Sequence, residues 1–418
     1  MKLAFLSDFH LGFSQPGREK DAFENALSAM KSAVKEGVDA IVFTGDFFHH
    51  DVPKQETLLE ALRLLSVAKR APQSSTRVVV EGKAEKRVVE FTGIPFIGIH
   101  GTHEFRGRDF ANVLEILDKA GFMAYIHAER AFLSKHREKV VLHGLGGVPE
   151  KKALDALKHW NPVPEAGACN ILLLHQSFKE FLPFEDEMVA TLSISDLPKG
   201  FDLIVNGHIH WGSETREEGI RLLMPGSTVV TQMKKLESKK KKAYFVFDTK
   251  TGTLSEREIK GQRPFHYSKL ELKNANPETA KEMVIDEIEK LIAGEQSQKP
   301  LVKIKLTGSL SKGFSQSDLN LAEIKESFGE KAIVSFSADF HEESFGKKMK
   351  ELSAIQAEKK SVSELGLELL EKNLAETDFG NAFDPRRIFS LLKNNDSEKA
   401  MKIIASLTPE NPKNNKNE

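Results

Sequence analysis

Across residues 1–260, short continuous apolar runs alternate with segments of helical spacing. "KLAFL" (2–6) and "DAIVFTG" (39–45) flank a stretch in which Phe23, Ala26, Leu27, Met30, Ala33 and Val34 fall on one helical face, and Gly37 follows as a stop. Runs that are apolar throughout, rather than alternating, predict strands buried on both faces. The unit therefore reads as strand–helix–strand in a layered α/β domain. "IPFIGI", "VVLHG", "NILLLH", "DLIVNG", "IRLLMPG" and "AYFVFD" predict further buried strands. "TRVVVEGKAEKRVVEF" (76–91) predicts a hairpin about Gly82.

The pattern changes near "IKGQRPF" (259–265). "HYSKLEL" predicts a strand, and Ala280, Val284, Ile288, Leu291 and Ile292 mark a helix. "LVKIKLTG" alternates Val302, Ile304 and Leu306, a short helix is expected over 318–327, and "AIVSFSA" predicts a last strand. That order, β-α-β-α-β, suits a small separate α+β domain. From residue 341 the chain is charged and helical. "SVSE" (361–364) is a capping-box pattern ahead of Leu367, Leu370 and Leu374. Asp384 and Pro385 are placed as N-cap and first residue of a helix, and Asn395 and Glu398 repeat the capping-box spacing before Ala400, Ile403, Ile404 and Leu407. The expected divisions are 1–258, a layered catalytic domain; 263–340, the small domain; 341–383, a charged helical linker; 384–410, a helix–loop–helix; and 411–418, a disordered tail.

Composition adds bounds. Of 418 residues 40% are apolar and 29% charged, ordinary for a soluble globular chain long enough for two or three cores. A formal charge of −1 argues neither for nor against nucleic acid, because binding depends on where charges cluster. Cys169 stands alone, so an intramolecular disulfide and a multi-thiolate zinc site are both excluded, and a reducing cytoplasmic compartment is expected. "MKLAFLSDFH" has too few apolar residues for a signal-peptide core, and no apolar run approaches the ~18 residues of a membrane span.

The chemistry lies at the ends of the predicted strands. Asp8 and His10 follow the first, Asp46 the second, and His103 follows "IPFIGI"; His175 ends "ILLLH", and His208 and His210 follow "LIVNG". Strand ends in an open α/β sheet are where rigidly held sites are built. Carboxylates and imidazoles without thiolates suit manganese, iron or zinc held for hydrolysis rather than a closed structural zinc. Residues two apart, such as Asp8 and His10, can turn toward one centre where a strand gives way to a loop. Asp46, with two oxygens, can bridge cations roughly 3.5–4 Å apart, the separation used in two-metal hydrolysis. A lone Asp-x-His is a weak signal, and His127, His136, His143, His159, His266 and His341 read as surface or core histidines. Five such elements, all at strand ends, are a strong one.

Asp8-x-His10, Gly45-Asp46, Gly101-x-His103-Glu104, His175 and Gly207-His208-x-His210 resemble the calcineurin-like metallophosphoesterase signature. "SDFHLG", "GDFFHH", "LLLHQ", "NGHIH", "MPGST" and "KKAYFVFD" narrow the resemblance to the Mre-eleven/SbcD family of DNA double-strand-break repair nucleases, over roughly residues 1–250. The resemblance implies an α-β-β-α sandwich with an α+β capping domain that contacts DNA and a C-terminal helical segment that binds a partner. It implies two manganese ions per subunit: Asp8, His10, Asp46 and His210 would hold the first, and Asp46, His175, His208 and the residue at 102 the second. His103 would stabilise the transition state or protonate the leaving oxygen, and His49 would contact the substrate phosphate. The implied activity is exonuclease and endonuclease hydrolysis of DNA, on double-stranded ends and single strands. The implied assembly is a homodimer with a Rad-fifty/SbcC-type ABC ATPase.

Thr102 departs from this pattern, which has asparagine there. A threonine hydroxyl is shorter and a weaker donor than an amide oxygen, so the second site is expected to bind more loosely, with His100 a candidate substitute. "KKLESKKKK" (234–242) reads as a solvated turn, the alternative being a phosphate-contacting edge. Ile388, Phe389, Leu392, Ile403, Ile404 and Leu407 form a stripe suited to docking a partner. Two rival readings are a DNA-end-binding scaffold with a weakened metal site, supported by Thr102 alone, and a phosphodiesterase for small substrates, which needs neither capping domain nor docking tail.

Overall fold

The computed structural model describes residues 1–83, 85–107, 110–181, 192–294, 298–340, 367, 371, 384–393, 397 and 399–401. The chain opens with β1 (Lys2–Leu6), α1 (Asp21–Lys35), β2 (Ala40–Thr44) and α2 (Gln55–Lys69). The expected hairpin follows as β3 (Arg77–Glu81) and β4 (Lys86–Val89), paired antiparallel. Next come β5 (Phe96–Ile99), α3 (Val113–Lys119), β6 (Ala124–Tyr125), β7 (Glu129–Lys135), β8 (Glu138–Gly144), α4 (Ala153–Trp160) and β9 (Cys169–Leu174). After these lie β10 (Leu203–Asn206), β11 (Ser213–Glu217), β12 (Ile220–Met224), β13 (Ala243–Asp248) and β14 (Thr253–Glu258). The small β-α-β-α-β region supplies β15 (Phe265–Ala275), α5 (Pro277–Ile292), β16 (Leu301–Leu310), α6 (Leu321–Ser327) and β17 (Ile333–Phe340), and α7 (Pro385–Lys393) comes last.

Two sheets make the sandwich, a six-stranded one in the order β14-β13-β1-β2-β5-β6 and an eight-stranded one in the order β11-β12-β10-β9-β8-β7-β3-β4. Period-two alternation assigns each side chain to a layer. Leu3, Phe5, Ala40 and Val42 of the first sheet meet Ile171, Leu173, Leu203 and Val205 of the second in the central core. The alternate residues Ala4, Leu6, Ile41 and Phe43 face outward onto Ala26, Met30, Leu64 and Leu65 of α1 and α2. On the other outer face Leu172, Leu174 and Ile204 pack with Ala153 and Leu157 of α4. The order of layers is thus α-β-β-α, the sandwich the resemblance implies, where the apolar runs by themselves predict a layered α/β domain.

β15, β16 and β17 form a three-stranded sheet in that order. The expected helix over 318–327 is broken: a single tight turn, Gln316–Leu319, precedes α6, and Asn320 between them sits at φ +44°. A left-handed residue cannot continue a right-handed helix. Asp384 does cap α7, its carboxylate accepting from the Arg386 N–H at 2.9 Å, and Ile388 and Ala400 are buried. The "SVSE" capping box, Leu370, Leu374, Asn395, Glu398, Ile403, Ile404, Leu407 and residues 411–418 lie outside the described residues. The chain divides into two compact units, Met1–Glu271 with Asn276–Leu306 and Gly313–Ala338, and Leu272–Ala275 with Thr307–Lys312 and Asp339–Glu418. Among the described residues no helix is long and apolar enough to cross a membrane.

Candidate metal centre

Strands from both sheets deliver the candidate side chains to one place. Asp8 and His10 leave β1, Asp46 leaves β2 and His103 leaves β5, while His175 leaves β9 and His208 and His210 leave β10. Backbone hydrogen bonds continue past the end of β1 and β2 and fix their exit loops together: Asp8 N–H to Gly45 O at 2.9 Å, His10 N–H to Asp46 O at 3.0 Å, and His49 N–H to Leu11 O at 2.9 Å. Asp8, His10, Asp46 and His208 all sit at positive φ, between +48° and +73°. Such backbone costs on the order of 1–3 kcal/mol per residue and persists only where the surroundings over-determine it. Here it turns alternate side chains toward one point. Close packing also explains the motif glycines: a Cβ at Gly101 would strike the Asp46 carboxylate, and one at Gly207 would lie 2.5 Å from His175 Nδ1.

The convergence has three parts. Asp8, His10, Asp46 and His210, all buried, offer ligand atoms within 4.8 Å of one another. Asp46, His175 and His208 do the same, as do His10, His49 and His103. Asp46 belongs to the first two groups and lies between them: its Oδ2 is 3.2 Å from His175 Nε2 and 3.9 Å from the Nε2 of both His10 and His103. Three of the imidazoles are held by one nitrogen so that the other faces inward. His175 Nδ1 donates to Thr44 O at 2.7 Å, His103 Nδ1 donates to His49 O at 2.7 Å, and His210 Nδ1 meets Thr231 Oγ1 at 2.8 Å. Such anchors fix tautomer and ring orientation in metal sites.

Burial sets the protonation. It pushes His10 down to about 3 and His208 to about 4, while burial and the neighbouring His103 bring His49 to about 4. These rings are neutral at ordinary pH and carry free lone pairs, the form a metal requires. Burial raises Asp8 to about 7. Burial alone would raise Asp46 and lower His175, but their mutual attraction wins: Asp46 lies well below the usual carboxylate range, and His175 rises to about 10. The pair is charged, a proton standing where a cation could.

The residues fit a divalent metal pair on three grounds. The donors are carboxylate oxygens and imidazole nitrogens, suited to hydrolytic metals. His10 Nε2 and His210 Nε2 face each other across 3.2 Å, an arrangement that one cation between them satisfies. Among the described residues the buried His208 Nδ1 has no hydrogen-bond partner.

Other side chains near the centre carry roles that motif letters do not disclose. Glu104 is fully buried, and its carboxylate accepts from the N–H groups of Asp46 at 3.2 Å, Phe48 at 2.6 Å and Gly101 at 2.7 Å. It ties the loop after β2 to the loop after β5. Glu150 Oε1 lies 3.9 Å from His208 Nε2 and accepts from Ser177 Oγ at 2.6 Å. His100 has both ring nitrogens engaged, Nε2 with Gly147 O at 2.9 Å and Nδ1 with Tyr125 OH at 2.7 Å, leaving no lone pair for a metal. Thr102 is half-buried between Gly101, packed on Asp46, and His103, whose N–H donates to Asp46 Oδ1 at 2.9 Å. The lysine run is not simply a solvated turn. Lys242 is buried, and its ammonium donates to Glu237 at 2.7 Å, His210 O at 2.7 Å and Ser227 Oγ at 2.9 Å. Spacing gave no sign of this, since only the fold brings His210 over residue 242.

Residues 1–212 match the calcineurin-like phosphoesterase family. Similar curated proteins include the DNA double-strand break repair protein Mre11 of Saccharolobus solfataricus, 26% identical over 247 residues, 58% of each chain. The protein of the same name from Sulfurisphaera tokodaii is 28% identical over 254 residues, 57% of each chain. The human double-strand break repair protein MRE11 is 27% identical over 281 residues, 57% of this chain and 38% of that one. The aligned chain spans under two thirds of each relative's length. With half of the chain inside the family match and its carboxylates and imidazoles gathered at the strand ends that the match covers, the chain belongs to the calcineurin-like phosphoesterases.

Proposed function

We propose that this chain is a manganese-dependent DNA nuclease, with exonuclease and endonuclease action. In this reading it works in the cytoplasm as the nuclease subunit of a double-strand-break repair complex, as a homodimer with a Rad-fifty/SbcC-type ABC ATPase. The observation that carries the reading is the pair of ligand clusters sharing Asp46, with His103 beside it. The names of the similar proteins support DNA as the substrate.

Asp8, His10, Asp46 and His210 would hold one cation, and Asp46, His175 and His208 the other, with residue 102 beside the second. Bound cations would supply charge neutralisation on the phosphoryl oxygens and an activated water. The chain's own residues do the rest. His103 is about one-third exposed, its Nδ1 fixed on His49 O, so its free Nε2 faces the centre from the solvent side. That position suits stabilising the developing charge or protonating the leaving oxygen. His49 stacks on His103 at 5.0 Å, which supports a phosphate-contacting role for it. The small β-α-β-α-β region is read as a DNA-contacting cap.

The test is cleavage of labelled single- and double-stranded DNA and of a chromogenic phosphodiester with manganese, magnesium or EDTA. Manganese-dependent DNA cleavage is expected, abolished with most metal binding by Asp46→Ala. His103→Ala should keep its metal content and lose turnover by roughly 10²–10³-fold. Near-normal cleavage by that variant at saturating manganese would sink the role given to His103. Hydrolysis of the chromogenic ester alone would favour a small-substrate phosphodiesterase, and DNA binding without any hydrolysis would favour a scaffold.

A further inference from the structure

A cavity of about 650 Å³ opens beside the centre, outside both ligand clusters. Its walls are aromatic: Phe105, Phe110, Tyr125, His100 and His127 line it. Phe105 and Phe110 are 40% and 61% exposed, an arrangement that costs solvation unless something covers them. The rings are ordered against one another. Phe105 lies over His100 at 6.3 Å and 31°, and His100 lies 4.7 Å from His127 and 5.8 Å from Tyr125. Arg106, whose Nε lies 3.8 Å from Asp51 Oδ2, sets its guanidinium over the Phe110 ring at 4.8 Å, and Lys152 adds a second cation at the rim, with Glu115 the carboxylate in the lining.

The two chain segments that bound this cavity both lead into the centre. His100 and Phe105 bracket Thr102 and His103, while Val148 and Pro149 directly precede Glu150, which faces His208. The backbones touch as well, with Gly147 N–H donating to His100 O at 2.8 Å. A phosphodiester seated at Asp46, His175 and His208 therefore has the cavity next to it.

We infer that this cavity takes the unstacked base of a nucleotide adjoining the phosphate to be cleaved, between the exposed rings of Phe105 and Phe110 and the cations Arg106 and Lys152. The inference rests on the nuclease reading and sharpens it. Aromatic faces with an arginine hold any base by stacking, without reading sequence, and the cations balance the backbone charge. A base can enter only if it has left the duplex stack. The preferred substrate is then a single strand or a frayed end, with little base preference.

The experiment compares 2′-deoxyadenosine 5′-monophosphate with 2-deoxyribose 5-phosphate, which carries the same phosphate and no base. Binding to the full chain is measured by calorimetry, with manganese and again with EDTA. The nucleotide is expected to bind about tenfold more tightly in both conditions. Phe110→Ala, at an exposed position that cannot unfold the core, should remove most of that preference, and Phe105→Ala should lower it further. Equal binding of the two compounds overturns the inference, and so does a preference that survives both substitutions. DNA cleavage in manganese is scored in parallel. Cleavage without a base preference leaves the nuclease reading standing and removes the cavity's role; a preference without cleavage does the reverse.

Discussion

At the scale of single residues, Thr102 and His100 decide how the second cluster works. His100 is spent on Gly147 and Tyr125, so it cannot stand in for the amide that Thr102 lacks. Asp46, His175 and His208 would remain to hold a second cation. Thr102→Asn is therefore expected to lower the manganese concentration for half-maximal activity and raise second-ion affinity by roughly 10-fold, by analogy with the effect of losing a supporting contact. Titration calorimetry checks this, and an unchanged second ion would mean that the hydroxyl already does the amide's work. His100 has a separate consequence for pH. Burial holds its folded pKa at about 3, against 6.5 in the unfolded chain. Its folded value is depressed, so between 6.5 and about 3 the unfolded state binds the proton and the folded state does not. Stability from this group is complete above pH 6.5 and falls as pH drops, by up to about 1.4 kcal/mol per pH unit. His100→Gln should flatten the acid limb of a plot of Tm against pH relative to the native protein. Equal slopes would show that His100 is protonated in the fold.

Among elements, the loops matter more than the strands they join. The Lys242–Glu237 pair, buried behind His210, holds the loop after β10 through the His210 carbonyl. Lys242→Met leaves Glu237 as an unpaired buried charge, which should cost about 3–5 kcal/mol in chemical denaturation. The double variant Lys242→Met/Glu237→Gln should recover much of that stability. Because neither variant restores the contact to His210 O, both should hold the first manganese ion more weakly than the second; equal weakening of the two would assign Lys242 to stability alone. Such loops are where the sequence is least legible. The eight core runs read as strands became β1, β2, β5, β8, β9, β10, β12 and β13 because uninterrupted apolar runs have few other buried solutions. β11 and β14 carry half-exposed polar sequences, "SETRE" and "TLSERE", and gave no signal. The gathering of the candidate side chains was legible because chemistry and strand ends coincide. The roles of Glu104, Glu150 and Lys242 were not, because their contacts run to the Phe48 N–H, His208 and the His210 carbonyl, groups that only the folded loops bring near.

For the whole molecule, the central question is how much of the chain the centre needs. Every residue of the three large core clusters that build the sandwich lies at or before Ile259. Burial of apolar surface on this scale is the main favourable term in folding, so the catalytic layers should not depend on the C-terminal segment. Truncation before Ser361 is therefore expected to leave a folded sandwich, with manganese binding intact and thermal unfolding of that part shifted by only a few degrees. The same truncation should abolish co-purification with an SbcC-like ABC ATPase, if the apolar stripe of the helical tail forms that interface. Within the stripe, Ile388 is buried in the chain itself, whereas Phe389 is half-buried. Phe389→Ser is thus the cleaner probe: it should weaken ATPase binding while α7 stays folded, and Ile388→Ser should unfold α7 as well. Collapse of the sandwich on truncation would place the tail in its core and end the docking idea. A truncated chain that still captures the ATPase would move the interface onto the first 360 residues.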